Sequence, residues 1–200
     1  MKLHTLLSLS LIALSLLFAG CGTSPKTNLY VLNIMDRNAD SVIADAHNIV
    51  IKVGPVSLPG ALDQEPIVSR IGSNMLQADE FNRWSGDFQN DIERILGENI
   101  SILLPTSKII LSRETGLLPL DFQVIVNVRE FDGKLGGIVT LNASWTIIQK
   151  GKKKSVMAHK SVLQEKTNGM SYQNYVATQS RLLAKLSQLI ANKIGDKLNK

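Results

Sequence analysis

Apolar and polar positions alternate along this chain with two different periods, and each change of period marks an element. Residues 29–34, Leu29-Tyr30-Val31-Leu32-Asn33-Ile34, predict a first strand, and residues 35–48 are polar and loop-like. Ile49-Val50-Ile51-Lys52-Val53 predicts a second strand, ended by Gly54-Pro55, with a turn at Pro59-Gly60. Residues 66–73 and 74–78 form a short hairpin in which Arg70 faces solvent. Over residues 83–98 the period becomes helical. Trp84, Phe88, Ile92, Ile95 and Leu96 fall on one stripe, with Asp87, Asn90, Asp91 and Glu93 opposite. Asp79-Glu80, just ahead, then serve as acids at the helix start. Residues 100–104 resemble a strand stopped by Pro105.

The second half is more regular. Phe122, Val124, Val126 and Val128 alternate with Gln123, Ile125 and Asn127, and Asp132-Gly133 signals a turn. Residues 137–149 make the partner strand, and residues 156–164 follow the Gly151-Lys152 turn, completing an antiparallel meander. The last element is a long helix capped by Ser171, with Tyr172, Tyr175, Val176, Leu182, Leu183, Leu186, Leu189, Ile190 and Ile194 at three-four spacing. Lys193, Lys197 and Lys200 crowd its end, where positive charge suits the helix dipole. The order predicts one α+β domain over residues 29–200. It is a mostly antiparallel sheet with two amphipathic helices packed on one face.

The first 20 residues read differently. Met1-Lys2 is followed by an apolar run from Leu6 to Phe18, broken only by serines, and then by small residues. A charged start, an apolar stretch and small residues before a cut site describe a secretory signal. The run is shorter than the roughly 20 residues a membrane span needs. Phe18-Ala19-Gly20-Cys21 looks like a bacterial lipobox, in which the cysteine thiol takes a diacylglycerol, the signal is cut before it and the new amino group is acylated. Cys21 is the only cysteine in the chain. It cannot form an internal disulfide, and acylation would leave no stray thiol. Residues 21–28 then form an acylated tether. Gly22 stands where Asp is the usual inner-membrane retention signal, so the resemblance implies delivery to the periplasmic face of the outer membrane.

Composition adds exclusions. The formal net charge is +5, with 44% hydrophobic and 20% charged residues. The basic excess gathers in Lys150, Lys152, Lys153 and Lys154 and in the last helix, without interleaved aromatics, so a nucleic-acid surface is not indicated. No phosphate-binding loop and no G-x-S-x-G elbow occurs. His47 and His159 read as solvated side chains rather than a shared metal site. Neither an enzyme nor a cofactor or metal is expected.

Several segments in order resemble one family. Ile49-Val50-Ile51-Lys52-Val53-Gly54-Pro55-Val56-Ser57-Leu58-Pro59 is similar to the I-x-V-x-P-V-x-L-P segment of the ABC-transport auxiliary lipoproteins (PqiC/YmbA-like). Leu62-Asp63, Ile67-Val68-Ser69-Arg70, a helix beginning near Asn82-Arg83-Trp84, the run from Phe122 to Asp132 and the Tyr172/Tyr175 opening of the last helix follow as they do in that family. The resemblance implies an outer-membrane dock that works with a mammalian-cell-entry (MCE) protein and its ABC permease and ATPase in moving lipid between membranes and maintaining envelope integrity. A homo-oligomeric ring is the assembly that would match MCE rings and tubes. A structural envelope lipoprotein and a lipid-carrying lipoprotein remain alternatives.

Two stretches are candidates for partner contact. The loop with Pro55, Leu58, Pro59, Leu62 and Asp63 is apolar for a solvated turn, and its prolines reduce the ordering cost of binding. Internal packing against the sheet edge would explain the same composition. Lys152 and Lys153 could steer an acidic partner or meet phosphate headgroups, or simply confer solubility. Trp84, at the helix start, either packs or projects toward a partner.

Overall fold

The computed structural model describes residues 26–37, 43, 46–115, 118–150 and 154–198. The signal peptide, Cys21, most of the tether, and Lys152 and Lys153 lie outside the described residues. Among those described, ten elements follow in order. They are β1 (Asn28–Tyr30), β2 (Ile51–Ser57), β3 (Pro66–Gly72), β4 (Met75–Trp84), α1 (Phe88–Leu103), β5 (Ile109–Leu111), β6 (Phe122–Gly133), β7 (Ile138–Gln149), β8 (Ser155–Lys166) and α2 (Tyr172–Leu198). The α+β reading stands. The strands divide between two sheets, one ordered β5-β2-β6-β7-β8 and a smaller one ordered β1-β4-β3.

The meander from β6 to β8 is antiparallel throughout, in the register that its alternation dictates. Val124 lies opposite Ile147 and Val126 opposite Trp145, so one face is continuously apolar. β2 joins β5 and β6 in parallel. It does not end at Gly54-Pro55. It bulges there and continues to Ser57, which places the proline, with no N–H to give, where the ladder shifts register. Gly54 has φ +109°, and a Cβ there would lie 2.5 Å from the Glu93 carboxylate, so only glycine fits.

α1 lies over β2 and β5, α2 over β7 and β8, and the helices touch each other. Their stripes fill one core. Ile92, Ile95, Leu96, Ile100 and Leu103 from α1 meet Leu182, Leu183, Leu186, Ile190 and Ile194 from α2, all fully buried. Burial of each such side chain contributes about 1.5–3 kcal/mol.

α1 starts five residues later than its periodicity suggests. Asp87 is the N-cap, accepting from the Asn90 backbone N–H at 2.8 Å, while Arg83 and Trp84 finish β4. Asp79 and Glu80 therefore lie on a strand and do not open a helix. Trp84 keeps the helical spacing only because the turn 85–87 brings its ring over Phe88, with centroids 4.1 Å apart and planes 11° off parallel. Phe88 stacks in turn toward Phe131 of β6 at 6.0 Å. Residues 100–103 continue α1 rather than forming a strand, since the Leu104 N–H still bonds to the Ile100 carbonyl at 2.8 Å. A short apolar run before a proline fits either reading, and the strand comes later, at β5. Glu93 is not on a solvated face. It is buried and accepts from the Ser112 N–H at 2.6 Å and from its hydroxyl at 2.7 and 2.8 Å, tying α1 to the segment after β5.

The first strand is shorter than its apolar run. After Tyr30 the chain stays unpaired with any strand, and side chains receive its N–H groups: Leu32 to Asp91, Asn33 to Ser180 and Met35 to Asn99, at 2.8–3.1 Å. This strap crosses both helices and closes the helical layer. His159 is also not simply solvated, because it stacks on Trp145 with centroids 4.4 Å apart.

One buried hydroxyl joins three elements. Tyr175, in the first turn of α2, accepts from the Gly133 N–H at 3.1 Å and donates to the Val68 carbonyl at 3.0 Å. Burial, followed by the charge of Asp132, pushes its phenol far above the ordinary range, so it stays a neutral donor. Tyr175→Phe is expected to lower stability by about 1–3 kcal/mol, because two buried backbone groups lose their partner while the ring still fits. Urea denaturation checks this, with the midpoint falling at an unchanged slope.

Candidate functional site

The loop after β2 is anchored at its centre and open on both sides. The N–H groups of Leu62 and Asp63 both bond to the Pro59 carbonyl, at 2.9 and 3.3 Å, making one tight turn. Leu62 is buried and Leu58 packs half-buried against the core, whereas Pro55, Gly60, Ala61, Asp63, Gln64 and Glu65 are exposed. The apolar side chains thus divide between internal packing and display. Leu58 and Leu62 hold the loop down, and its rim is exposed.

Two clefts flank this loop. The first, about 530 Å³, is lined by Asp63 to Glu65, by Thr27 and Leu29 beside β1, and by the β4–α1 turn from Arg83 to Phe88. It brings Asp63 and Trp84 together, although Trp84 is only 5% exposed. Asp63, Glu65 and Asp87 outnumber Arg83, which bonds across to Glu65 at 3.3 Å, so this cleft is acidic. The second, about 550 Å³, is lined by Pro59, Ala61 and Leu62 on one wall and by Arg70, Ser73, Leu76, Arg129, Glu130 and Asp132 on the other. Pro55 and Leu58 line neither cleft.

Arg70 does not simply face solvent. Its Nε donates to Asp132 at 2.6 Å and its Nη2 at 3.1 Å, a two-pronged pair with a carboxylate that is itself 4% exposed. That hydrogen bond raises the Arg70 pKa further, so the guanidinium stays charged, and the pair ties β3 to β6. It forms the rigid floor of the second cleft.

A polar cluster near the first cleft is built from groups whose meeting the linear pattern does not announce. Asp79 accepts from the backbone N–H groups of Phe81 and Asn82 and from the Asn82 amide, at 2.8–2.9 Å, and kinks β4. Burial alone would raise its pKa, but bonds from Asn82, Phe81 and the Tyr172 hydroxyl outweigh it and hold the carboxyl below its usual range. Burial, then the Asp79 charge, raises the Tyr30 phenol, and burial first also raises that of Tyr172. The Asp-x-x-Asn spacing is an Asx-turn signal and could have located the kink. The tyrosines come from remote segments and carry no such signal.

Among the described residues lining both clefts there is no histidine and no cysteine, and no group of three His, Cys, Asp or Glu is placed to hold a metal ion. Such walls suit recognition of a protein surface. They mix rigid loop backbone, fixed ion pairs and small apolar contacts.

A family model described as the ABC-type transport auxiliary lipoprotein component matches residues 30–191. Among solved structures, the crystal structure of an uncharacterized protein is 19% identical, covers 85% of this chain and 99% of its own, and superposes with a TM-score of 0.67. A Xanthomonas campestris protein with a DUF330 family model is 13% identical, covers 86% and 98%, and has a TM-score of 0.64. At these identities the two structures speak for the fold alone. Among curated proteins, none matches the chain.

Proposed function

Because the chain belongs to the ABC-type transport auxiliary lipoprotein component family, we propose that it is the outer-membrane-anchored subunit of an MCE-type lipid transport system. In this reading it docks the MCE assembly and supports lipid transfer and envelope integrity. The family is a transport component and not an enzyme family. The observation that carries the proposal is the match across residues 30–191, which includes α1, the second cleft, and most of the first cleft and of α2. No described helix is long and apolar enough to cross a membrane, in keeping with attachment through acyl chains on Cys21. The interior supports docking over lipid carriage, since the helical stripes and the sheet face fill it with fully buried side chains.

The docking surface in this reading is the exposed loop rim between the clefts. Ala61→Arg and Asp63→Arg each place a bulky cation there without touching the anchors Leu58 and Leu62. Each is expected to cut recovery of the MCE protein with the full-length chain at least tenfold while leaving thermal melting unchanged. Wild-type recovery from both would move the docking surface elsewhere, and no MCE recovery with the unaltered chain would sink the system assignment. Leu58→Asp is a poorer probe, because it buries a charge beside the core. Lys152 and Lys153 are proposed to steer. Reversing their charge should slow association and flatten its dependence on salt.

A further inference from the structure

The β3–β4 hairpin does not behave like a strand pair lying on a core. Met75, Leu76, Gln77 and Ala78 are all exposed in succession, where a packed strand would alternate. Ile71 is 51% exposed, Met75 58% and Leu76 37%. From Ile71 to Ala78 the tip carries no charge, with Arg70 and Asp79 on either side. The hairpin therefore projects as an uncharged ribbon with apolar side chains on both faces. Its base is rigid, held by the Arg70–Asp132 pair and the Tyr175 hydroxyl on Val68.

The direction of the tether says what lies against it. β1 pairs in parallel with the end of β4, Asn28 opposite Asn82 and Tyr30 opposite Trp84. Parallel pairing puts Lys26 and Thr27 on the side of Asn28 that faces the start of β4, where the hairpin tip is. The flank of α2 agrees. Lys26 to Val31 run beside Gln173, Val176 and Ala177 in the first turns of that helix, and Asn33 has reached Ser180. Lys26, the first described residue, thus lies at the start of α2, where Met170 is 76% exposed and Tyr172 bonds to Asp79 of β4. Cys21 precedes Lys26 by five residues, which span at most about 18 Å. Acyl chains on Cys21 cannot be in a leaflet unless this side of the domain is near its surface.

We propose that the β3–β4 tip, with Ile71 and Met75, enters the headgroup region of the leaflet that holds the acyl chains, and so sets the orientation of the domain. The inference rests on the reading of Cys21 as acylated. An uncharged apolar ribbon meets the interface at little desolvation cost. Two attachment points, one covalent and one from the fold, would stop the domain from tumbling and present the loop rim to a partner in a constant pose.

The test uses the acylated chain in vesicles of phosphatidylethanolamine with phosphatidylglycerol. Cys21 is consumed by lipid, so a cysteine introduced by Ile71→Cys, Met75→Cys or Val162→Cys is the single site for a nitroxide label. Labels at 71 and 75 are expected to collide with oxygen more than with a water-soluble nickel chelate, and the label at 162, on the exposed strand β8, to show the reverse. Water-like behaviour at both 71 and 75 in vesicle-bound protein would overturn the proposal and leave the acylation reading intact. That result would also be expected if the ribbon serves a protein partner instead. Absence of palmitate on the unaltered chain would overturn the acylation reading and this inference with it.

Discussion

Cys21→Ser is expected to abolish palmitate incorporation and to release the protein from the membrane fraction. The effect should be all-or-none, because the change removes the only thiol the chain has. The hairpin tip could not compensate. A few apolar side chains at an interface give reversible binding, whereas acyl chains contribute about 0.8 kcal/mol for each buried methylene. Fractionation after labelling decides it, and a serine variant that still labels and sediments with membranes would refute the lipobox assignment. If MCE docking requires a fixed pose at the membrane, envelope integrity under detergent stress should fail in this variant despite an unaltered fold.

Phe88→Ala should be among the most damaging single changes to the core, costing about 3–5 kcal/mol. Phe88 is 4% exposed and sits between Trp84 and Phe131, so truncation empties the centre of an aromatic stack that joins β4, α1 and β6. The ring cannot be replaced by collapse, because its neighbours are held from three elements. A melting temperature lower by on the order of 10 °C follows for a domain of this size. Melting like the wild type would mean that the stack does not form. Trp84→Phe keeps an aromatic on the stack and should cost much less, which separates loss of packing from loss of a contact made by the indole.

The stretches legible in the sequence are those where a single period runs for many residues. Phe122 to Val128 alternate through burial as they alternate in chemistry, and the α2 stripe from Tyr175 to Ile194 is buried except at Leu189, which is 38% exposed on the edge of the stripe. The loop after β2 is legible as unusual, for its prolines and leucines, but its division is not. Leu62 and Ala61 are neighbours in the chain, one buried and one on the rim, and only the fold separates them. The places of Arg70 and Glu93 are hidden for a related reason. Each looks like a solvated charge until Asp132, 62 residues away, or Ser112, 19 residues away, arrives to satisfy it.

By itself the sequence determined the class of the molecule. Its apolar periods specify strands and helices, because burial of a face needs that face to recur every two or every three to four residues. Its N-terminal run and lone cysteine are local chemistry, readable without any fold. What tertiary structure alone decided are the places where remote segments satisfy each other. It set the parallel joins of β2 to β5 and β6, and the start of α1 at Asp87 rather than at Arg83. It also made a strap of residues 31–35, whose backbone bonds go to helix side chains, and left Met75 to Ala78 of the β3–β4 ribbon exposed in succession. Such pairings depend on which groups are brought within about 3 Å of one another, and a one-dimensional pattern holds no record of that distance.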